Sequence, residues 1–219
     1  LIYLESLIKI DKYSEAKTTA EHILTKEKNS VEAIRALAKA EYHLREYDLA
    51  IKTYQSLAKV DTLSAEDYRL YGTSYLELKT DTTAVKYFEL SLKKDRIQKD
   101  VWTDLGAAYM RMKKWDLAAD AFQQRILIDS TSAAGYVNYA LSNMAISKWE
   151  NARKALYKAL SLQPTYLNGH LNLARCLSQM DSVAAARAQY LQTAELAEKQ
   201  QPVNSKAILG EVYKSISFS

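Results

Sequence analysis

Hydrophobic positions in the middle of the chain recur with the spacing of an amphipathic helix. Trp102, Leu105, Gly106 and Tyr109 stand at i, i+3, i+4 and i+7, so they fall on one face of a single helix. A second amphipathic pattern begins near Trp115 after a short polar turn, which predicts an antiparallel helix pair. The small residues within these faces indicate that the two helix backbones approach closely, because a large side chain there would hold them apart.

The same pattern returns along the chain with a period of 34 residues. One column of the repeat is always alanine: Ala16, Ala50, Ala84, Ala118, Ala152 and Ala186. A second column is always small: Ala38, Gly72, Gly106, Ala140 and Ala174. A third column is aromatic or bulky: Tyr54, Phe88, Phe122, Leu156 and Tyr190. A fixed period of this length indicates an array in which each helix pair packs against the next.

One copy of the repeat carries the sequence W-x2-L-G-x2-Y followed by A-x3-F, and the next copy carries a proline. The residues concerned are Trp102, Leu105, Gly106, Tyr109, Ala118, Phe122 and Pro164. This pattern resembles the tetratricopeptide repeat (TPR) family. The resemblance covers nearly the whole chain. It implies an all-α fold, a right-handed α-α superhelix of antiparallel helix pairs, with residues 1–219 as a single solenoid domain.

The period sets the boundaries of the repeats. Five complete repeats run over residues 31–64, 65–98, 99–132, 133–166 and 167–200, and residues 1–30 form a first repeat that has lost its opening. Residues 203–218 are expected to form a C-terminal capping helix, because the apolar positions in this segment share one face.

Helix starts and the front end of the array give further expectations. Ser147 and Glu150 have the spacing of a capping box, and Asp81 and Asp181 are placed to cap second helices. At the front end, we expect the apolar side chains to be partly exposed and to be covered by further protein or by a second copy of the chain. These side chains are Leu1, Ile2, Leu4, Leu7 and Ile8.

The composition agrees with a helical protein. The chain has 219 residues, of which 48% are hydrophobic and 26% charged, and it contains only 5 Gly and 2 Pro. The net charge of +4 is a mild excess that is spread along the chain. This excess by itself argues neither for nor against a polyanionic partner. We expect no insertion into a membrane, and we expect no nucleic-acid partner because the groove columns implied by the family resemblance carry five basic and five acidic residues.

The sequence offers few groups for catalysis. His22, His43 and His170 come from different repeats, and no Cys or carboxylate stands with them at metal-ligand spacing. His170 takes the column of Trp102, which favours a packed structural role. No phosphate-binding loop or nucleophile motif occurs. We interpret the chain as a protein without catalytic activity, cofactor or metal.

A binding surface is implied by the family resemblance. In TPR proteins the concave groove is lined by the first helix of each repeat, on the side away from the Trp-Leu-Gly-Tyr stripe. The corresponding residues are Arg35, Lys39 and Tyr42 in the second repeat, Thr103, Asp104, Met110 and Arg111 in the fourth, Asn138, Leu141 and Met144 in the fifth, and Asn172 and Arg175 in the sixth. Asp104, Asn138 and Asn172 share one column and resemble an asparagine ladder that holds an extended peptide, since a carboxamide both donates and accepts. The alternative, that Asn is merely common in this column, stays open.

These observations favour a scaffold or adaptor that binds a peptide or helix of a partner protein in its groove. A second hypothesis is that the chain is the substrate-recruiting region of a larger enzyme, such as a glycosyltransferase. A third is a scaffold whose repeats bind each other, as a homo-oligomer through the N-terminal end. The chain begins without Met and is interpreted as a fragment or mature piece, so its location is open between the cytoplasm and a bacterial periplasm.

Overall fold

The computed structural model describes residues 2–200, 209–210 and 212–214, apart from the side chains of Ile2 and Gln200. Twelve helices follow one another over residues 2–200, and no strand occurs in the described part of the chain. They are α1 (Ile2–Lys9), α2 (Tyr13–Lys26), α3 (Val31–His43), α4 (Tyr47–Val60), α5 (Ala65–Glu77), α6 (Asp81–Lys94), α7 (Lys99–Arg111), α8 (Trp115–Ile128), α9 (Ala133–Ala145), α10 (Trp149–Leu162), α11 (Leu167–Gln179) and α12 (Val183–Gln200).

The predicted all-α architecture is confirmed. Consecutive helices pack against each other from α1 to α7 and from α8 to α12, and the odd-numbered helices are the first helices of the predicted pairs. The second helix of the fourth repeat begins at Trp115, as the sequence predicts. The chain forms two compact units, residues 1–112 and 113–219, which we call the N-terminal and the C-terminal unit.

Small side chains form the seam between paired helices. At Gly72 in α5, an added Cβ atom would lie 2.8 Å from two carbon atoms of the Phe88 ring and 3.3 Å from the carbonyl oxygen of Ala84. Phe88 and Ala84 are both fully buried. The other alanines of the column are buried as well: Ala16, Ala50, Ala118, Ala152 and Ala186. At the seam between α5 and α6, the prediction that small residues mark the closest approach of paired helices is thus confirmed.

Bulky side chains of the third column fill the space beside each seam. Tyr54 and Phe88 are fully buried in the N-terminal unit, and Phe122 and Leu156 are buried in the C-terminal unit. Within each unit, helix pairs bury their apolar faces on their neighbours, so the core of that unit runs through its repeats rather than closing inside any one of them.

The turns inside the helix pairs contain a backbone feature that repeats with the sequence. Among the residues that the structure describes, six non-glycine residues have a left-handed conformation with φ between 54° and 63°. They are Asp11, Arg45, Lys79, Lys113, Ser147 and Asp181, spaced 34 residues apart. After α3, the Arg45 N–H donates to the Tyr42 carbonyl oxygen and the Glu46 N–H donates to the Glu41 carbonyl oxygen, both at 2.9 Å. This pair of bonds is a Schellman motif, which satisfies carbonyl groups left over at the end of a helix.

The predicted helix caps are wrong, and the turn geometry explains why. Ser147 and Asp181 are the left-handed residues of their turns, so neither one can stand at the start of the next helix. Asp81 is the first residue of α6, and its carboxylate pairs with Arg111 instead of capping the helix. A capping box does occur at the start of α5, where Ser64 and Asp67 exchange backbone and side-chain hydrogen bonds.

The front end of the chain differs from expectation. Leu4 and Leu7 are 1% and 2% exposed because α1 packs against α2 and α3, so the prediction of partial exposure is wrong for both leucines. Ile8 is half-buried, whereas Leu1 and the side chain of Ile2 lie outside the described residues.

Most of the predicted capping segment 203–218 also lies outside the described residues. Within it, residues 209–210 and 212–214 are helical, and Val212 is fully buried against the core of the C-terminal unit.

The left-handed turns predict an unusual gain in stability from glycine. Lys79→Gly should raise the free energy of unfolding by about 0.5–1 kcal/mol, because relief of the left-handed strain exceeds the added entropy of the unfolded chain. Lys52→Gly is the matched control, since it removes the same exposed side chain from the interior of α4. It should lower the stability by about 1 kcal/mol. Urea unfolding of the two variants measures both effects, and a loss of stability in Lys79→Gly would contradict this account.

The close contact at Gly72 predicts that a single added methyl group lowers the stability of the fold. Gly72→Ala should lower the free energy of unfolding by about 1–3 kcal/mol, because the new Cβ must displace the Phe88 ring or the α6 backbone. In the variant Phe88→Val, whose side chain has no δ or ε atoms, the same Gly72→Ala change should cost clearly less. A double-mutant cycle by urea unfolding checks this, and additive costs would show that the two side chains do not meet.

Candidate functional site

Two predicted groove cations of α3 are held by ion pairs with the following repeat. The Arg35 Nε atom lies 3.0 Å from a carboxylate oxygen of Asp67, and Arg35 also pairs with Asp61. Asp67 is fully buried, and it is the same residue that closes the capping box of α5. Lys39 pairs with Glu66, which is also in α5. These ion pairs fix the first helices α3 and α5 to each other.

A second polar group connects α5 and α7 within the N-terminal unit. The Thr73 hydroxyl donates to a carboxylate oxygen of Asp104 at 3.1 Å. Burial raises the pKa of Asp104 to about 6, although the Thr73 hydrogen bond and the charge of Arg69 oppose the rise. Below about pH 6, Asp104 can therefore donate a hydrogen bond as well as accept one.

Tyr42 in α3 is half-buried, and this burial raises the pKa of its phenol.

The remaining predicted residues of α7 differ in their contacts. The Arg111 guanidinium donates to the carbonyl oxygen of Leu76 at 2.7 Å and pairs with Asp81. It thus satisfies a carbonyl in the last turn of α5. The Thr103 hydroxyl donates to the Lys99 carbonyl oxygen at 2.9 Å, and Met110 is half-buried.

In the C-terminal unit, the two predicted asparagines differ in environment. Asn172 is 5% exposed, its amide donates to the Asn168 carbonyl oxygen at 2.8 Å, and its Oδ1 accepts from Arg175 at 3.2 Å. Asn138 is only half-buried. The hydrogen-bonding groups of Asn172 are thus engaged inside α11, and Asn138 is the more accessible of the two.

The apolar members of the predicted groove lie against the core. Leu141 and Met144 are half-buried and pack on the core of the C-terminal unit. Each therefore presents only part of its surface to solvent.

A cavity of about 400 Å³ lies in the N-terminal unit among α1, α3 and α5. Leu4, Ile8 and Ala36 form its apolar part. Its charged residues are three acids and three bases: Glu5, Glu32, Glu66, Lys9, Arg35 and Lys39. Sequence reasoning selected Arg35 and Lys39 but missed the cavity. The residue that could have indicated the cavity is Ala36, because it is a small residue in the column that holds Asp104, Asn138 and Asn172 in later repeats.

The histidines and the cysteine have structural surroundings. The two ring nitrogens of His170 lie 2.8 Å from the Gln189 side-chain oxygen and from the Pro164 carbonyl oxygen. His43 stacks on Tyr13 with ring centroids 4.2 Å apart, and Cys176 is buried. Among the described residues, no group of three or more His, Cys, Asp or Glu side chains could hold a metal ion. In the same part of the chain, no helix has the length and apolar character needed to span a bilayer.

Comparison with known proteins identifies the fold. No family model and no curated protein matches the sequence. Among solved structures, the chain is similar to the C-terminal part of a TPR repeat-containing protein from Cytophaga hutchinsonii, with a TM-score of 0.85, 21% identity and coverage of 99% of this chain and 86% of that one.

Two further solved structures have the same fold. MamA from Desulfovibrio magneticus gives a TM-score of 0.73 at 19% identity, with 78% of this chain and 97% of that one covered. YrrB, described as a TPR protein with an unusual peptide-binding site, gives 0.76 at 14% identity, with 88% and 97% covered. The chain has the all-α tetratricopeptide repeat fold, as its sequence pattern predicts.

The buried carboxyl of Asp104 predicts a specific pH dependence. Its pKa is higher in the folded protein, about 6, than the ordinary value of 3.8, so the folded state binds more protons between these values. Stability should therefore fall as the pH rises from about 4 to about 6, by up to about 3 kcal/mol from this residue. Asp104→Asn should remove this contribution, which gives the variant a growing advantage over the parent chain across that range.

Urea unfolding at pH 4, 5, 6 and 7 measures the difference between the two chains. Asp100→Asn, an exposed carboxyl one turn earlier in α7, is the control for loss of a charge. A stability difference between Asp104→Asn and the parent that stays constant with pH would refute the assignment.

Proposed function

We propose that the chain is a non-catalytic protein-interaction scaffold that binds a segment of a partner protein along its first helices. In this proposal, the cavity among α1, α3 and α5 holds an apolar side chain of the partner. The observation that carries the proposal is this cavity, because all of its lining residues except Leu4 lie in the columns that the family resemblance assigns to the groove.

The chemistry of the cavity defines what it would hold. Its floor of Leu4, Ile8 and Ala36 suits an aliphatic or aromatic side chain, since burying such a group removes apolar surface from water on both partners. The rim carries equal numbers of acidic and basic side chains, and Arg35 and Lys39 are already paired. A partner segment with a neutral apolar anchor therefore fits better than a strongly charged one.

Other predicted groove residues would contribute secondary contacts. In the C-terminal unit, the half-buried Asn138 is the better candidate for a hydrogen bond to a peptide backbone, because Asn172 is engaged within α11. Leu141 and Met144 would supply apolar contact, and flexible Met side chains adapt to varied partners. The description of YrrB as carrying a peptide-binding site supports the same type of function for this fold.

A cavity-filling variant tests the proposal. Peptides that bind the full chain are selected from a display library, and their affinities are measured by fluorescence anisotropy. Ala36→Leu should weaken their binding by about tenfold or more, because the longer side chain occupies the space of the anchor. Ala58→Leu, the same change at an exposed position of α4, is the matched control and should leave the affinity unchanged.

The outcome separates the two parts of the groove. Peptides that bind Ala36→Leu as tightly as the parent would refute the role of the cavity. If those peptides instead lose affinity in Asn138→Ala, binding resides in the C-terminal unit. A library that yields no saturable binder would contradict the proposed function itself.

A further inference from the structure

A second cavity, of about 320 Å³, lies in the C-terminal unit and is bordered by α8, α9 and α10. We call it the tyrosine cleft. Its apolar residues are Ile126, Leu127, Tyr136, Tyr139 and Ala155, and its polar residues are Gln123, Asn151, Lys154 and Lys158. None of these residues belongs to the predicted groove on the first helices, so the tyrosine cleft is a separate feature of the unit.

The corresponding region of the N-terminal unit contains stacked rings. There Tyr87 of α6 stacks on Tyr71 with ring centroids 4.0 Å apart and on Tyr75 at 5.5 Å. Tyr68 lies 6.3 Å from the same ring, and the Lys86 ammonium stands 5.9 Å from its centroid. One tyrosine ring thus occupies the space bordered by its neighbours and lies beside a lysine.

The repeat period relates the two regions residue by residue. Two periods after Tyr68 and Tyr71, the chain has Tyr136 and Tyr139, and two periods after Lys86 it has Lys154. Tyr87, however, corresponds to Ala155, and Tyr75 corresponds to Asn143. The tyrosine walls and the lysine are therefore kept, while the central ring is replaced by a methyl group. This difference accounts for the cavity in the C-terminal unit.

Leu127 at the edge of the cleft has no structural explanation in its own unit. It is 72% exposed, although it is a large apolar side chain. The other repeats carry polar residues in this column: Thr25, Lys59, Lys93, Ser161 and Glu195. An apolar residue beside a cavity adds surface that a bound group would bury.

The charged residues that line the tyrosine cleft have one sign. Lys154 and Lys158 lie one turn apart on α10, and no carboxylate lines the cleft. Glu150 approaches Lys154 at 3.8 Å from outside the lining, and both side chains are largely exposed, so the attraction between them is weak. The cleft therefore favours a ligand with negative charge near its bound group.

We propose that the tyrosine cleft binds an aromatic side chain of an acidic peptide segment. The ring takes the place that Tyr87 holds in the N-terminal unit, where it packs against Tyr139, and Lys154 contacts its face as Lys86 contacts Tyr87. Acidic residues on either side of the ring pair with Lys154 and Lys158. This site does not depend on the cavity among α1, α3 and α5.

The probe for this site is the peptide acetyl-Glu-Glu-Phe-Glu-Glu-amide, and its binding to the full chain is measured by NMR titration. We expect saturable chemical-shift changes at residues of the cleft, and no binding of the peptide that has alanine in place of phenylalanine.

Ala155→Tyr copies the sequence of the N-terminal unit and should weaken binding by about tenfold or more, because its own ring fills the cleft. Ala58→Tyr is the matched control, and Ala36→Leu should also leave this binding unchanged.

A charge-reversal variant gives a second, independent result. Lys154→Glu combined with Lys158→Glu changes only exposed side chains, so it decides the outcome even where Ala155→Tyr lowers the melting temperature. It should bind the acidic peptide weakly and prefer acetyl-Lys-Lys-Phe-Lys-Lys-amide.

Any one of four results would overturn the proposal. The first is an absence of saturable binding to the parent chain at millimolar peptide. The second is equal binding by the parent and by a folded Ala155→Tyr variant. The third is an unchanged peptide preference after charge reversal. The fourth is self-association of the parent that Ala155→Tyr abolishes, which would make a second copy of the chain the occupant.

Discussion

The close approach of paired helices is the constraint on which the other features of this structure depend. At the α5–α6 seam, Gly72 leaves no room for a methyl group between it and Phe88. Since a helix pair cannot bury its apolar face alone, the bulky column beside each seam must pack on the next repeat. The first helices then carry residues that the core does not need, and these residues can form cavities and polar contacts.

Polar contacts between repeats use much of the charge that the sequence places on the first helices. Arg35 forms an ion pair with Asp67, and Lys39 forms one with Glu66. The Arg111 guanidinium donates a hydrogen bond to the Leu76 carbonyl oxygen in the last turn of α5. A basic residue in the groove column of a repeat sequence is therefore not by itself evidence for an acidic ligand. In this chain, the more informative signals are exceptions within a column, such as Ala36 among larger residues and Leu127 among polar ones.

The helices and their pairing could be predicted from sequence because they follow from local periodicity and a fixed repeat. The turns could not be located in the sequence by looking for glycine, since charged or polar residues such as Arg45 and Lys79 take the left-handed position. The caps expected at Ser147 and Asp181 were wrong for the same reason. The engagement of Asn172, the burial of Leu4 and the two cavities depend on distances between helices, which a periodic pattern does not specify. Both sets of proposed binding residues stay predictions.

The stacked tyrosines of the N-terminal unit have an optical consequence. Rings whose centroids lie 4.0 to 5.5 Å apart couple their electronic transitions, so Tyr71, Tyr75 and Tyr87 should give a strong near-ultraviolet circular dichroism band. That band requires fixed packing and disappears when packing is lost, even if helices remain. The chain therefore carries an intrinsic reporter of tertiary order around α5 and α6, distinct from the far-ultraviolet signal that all its helices share.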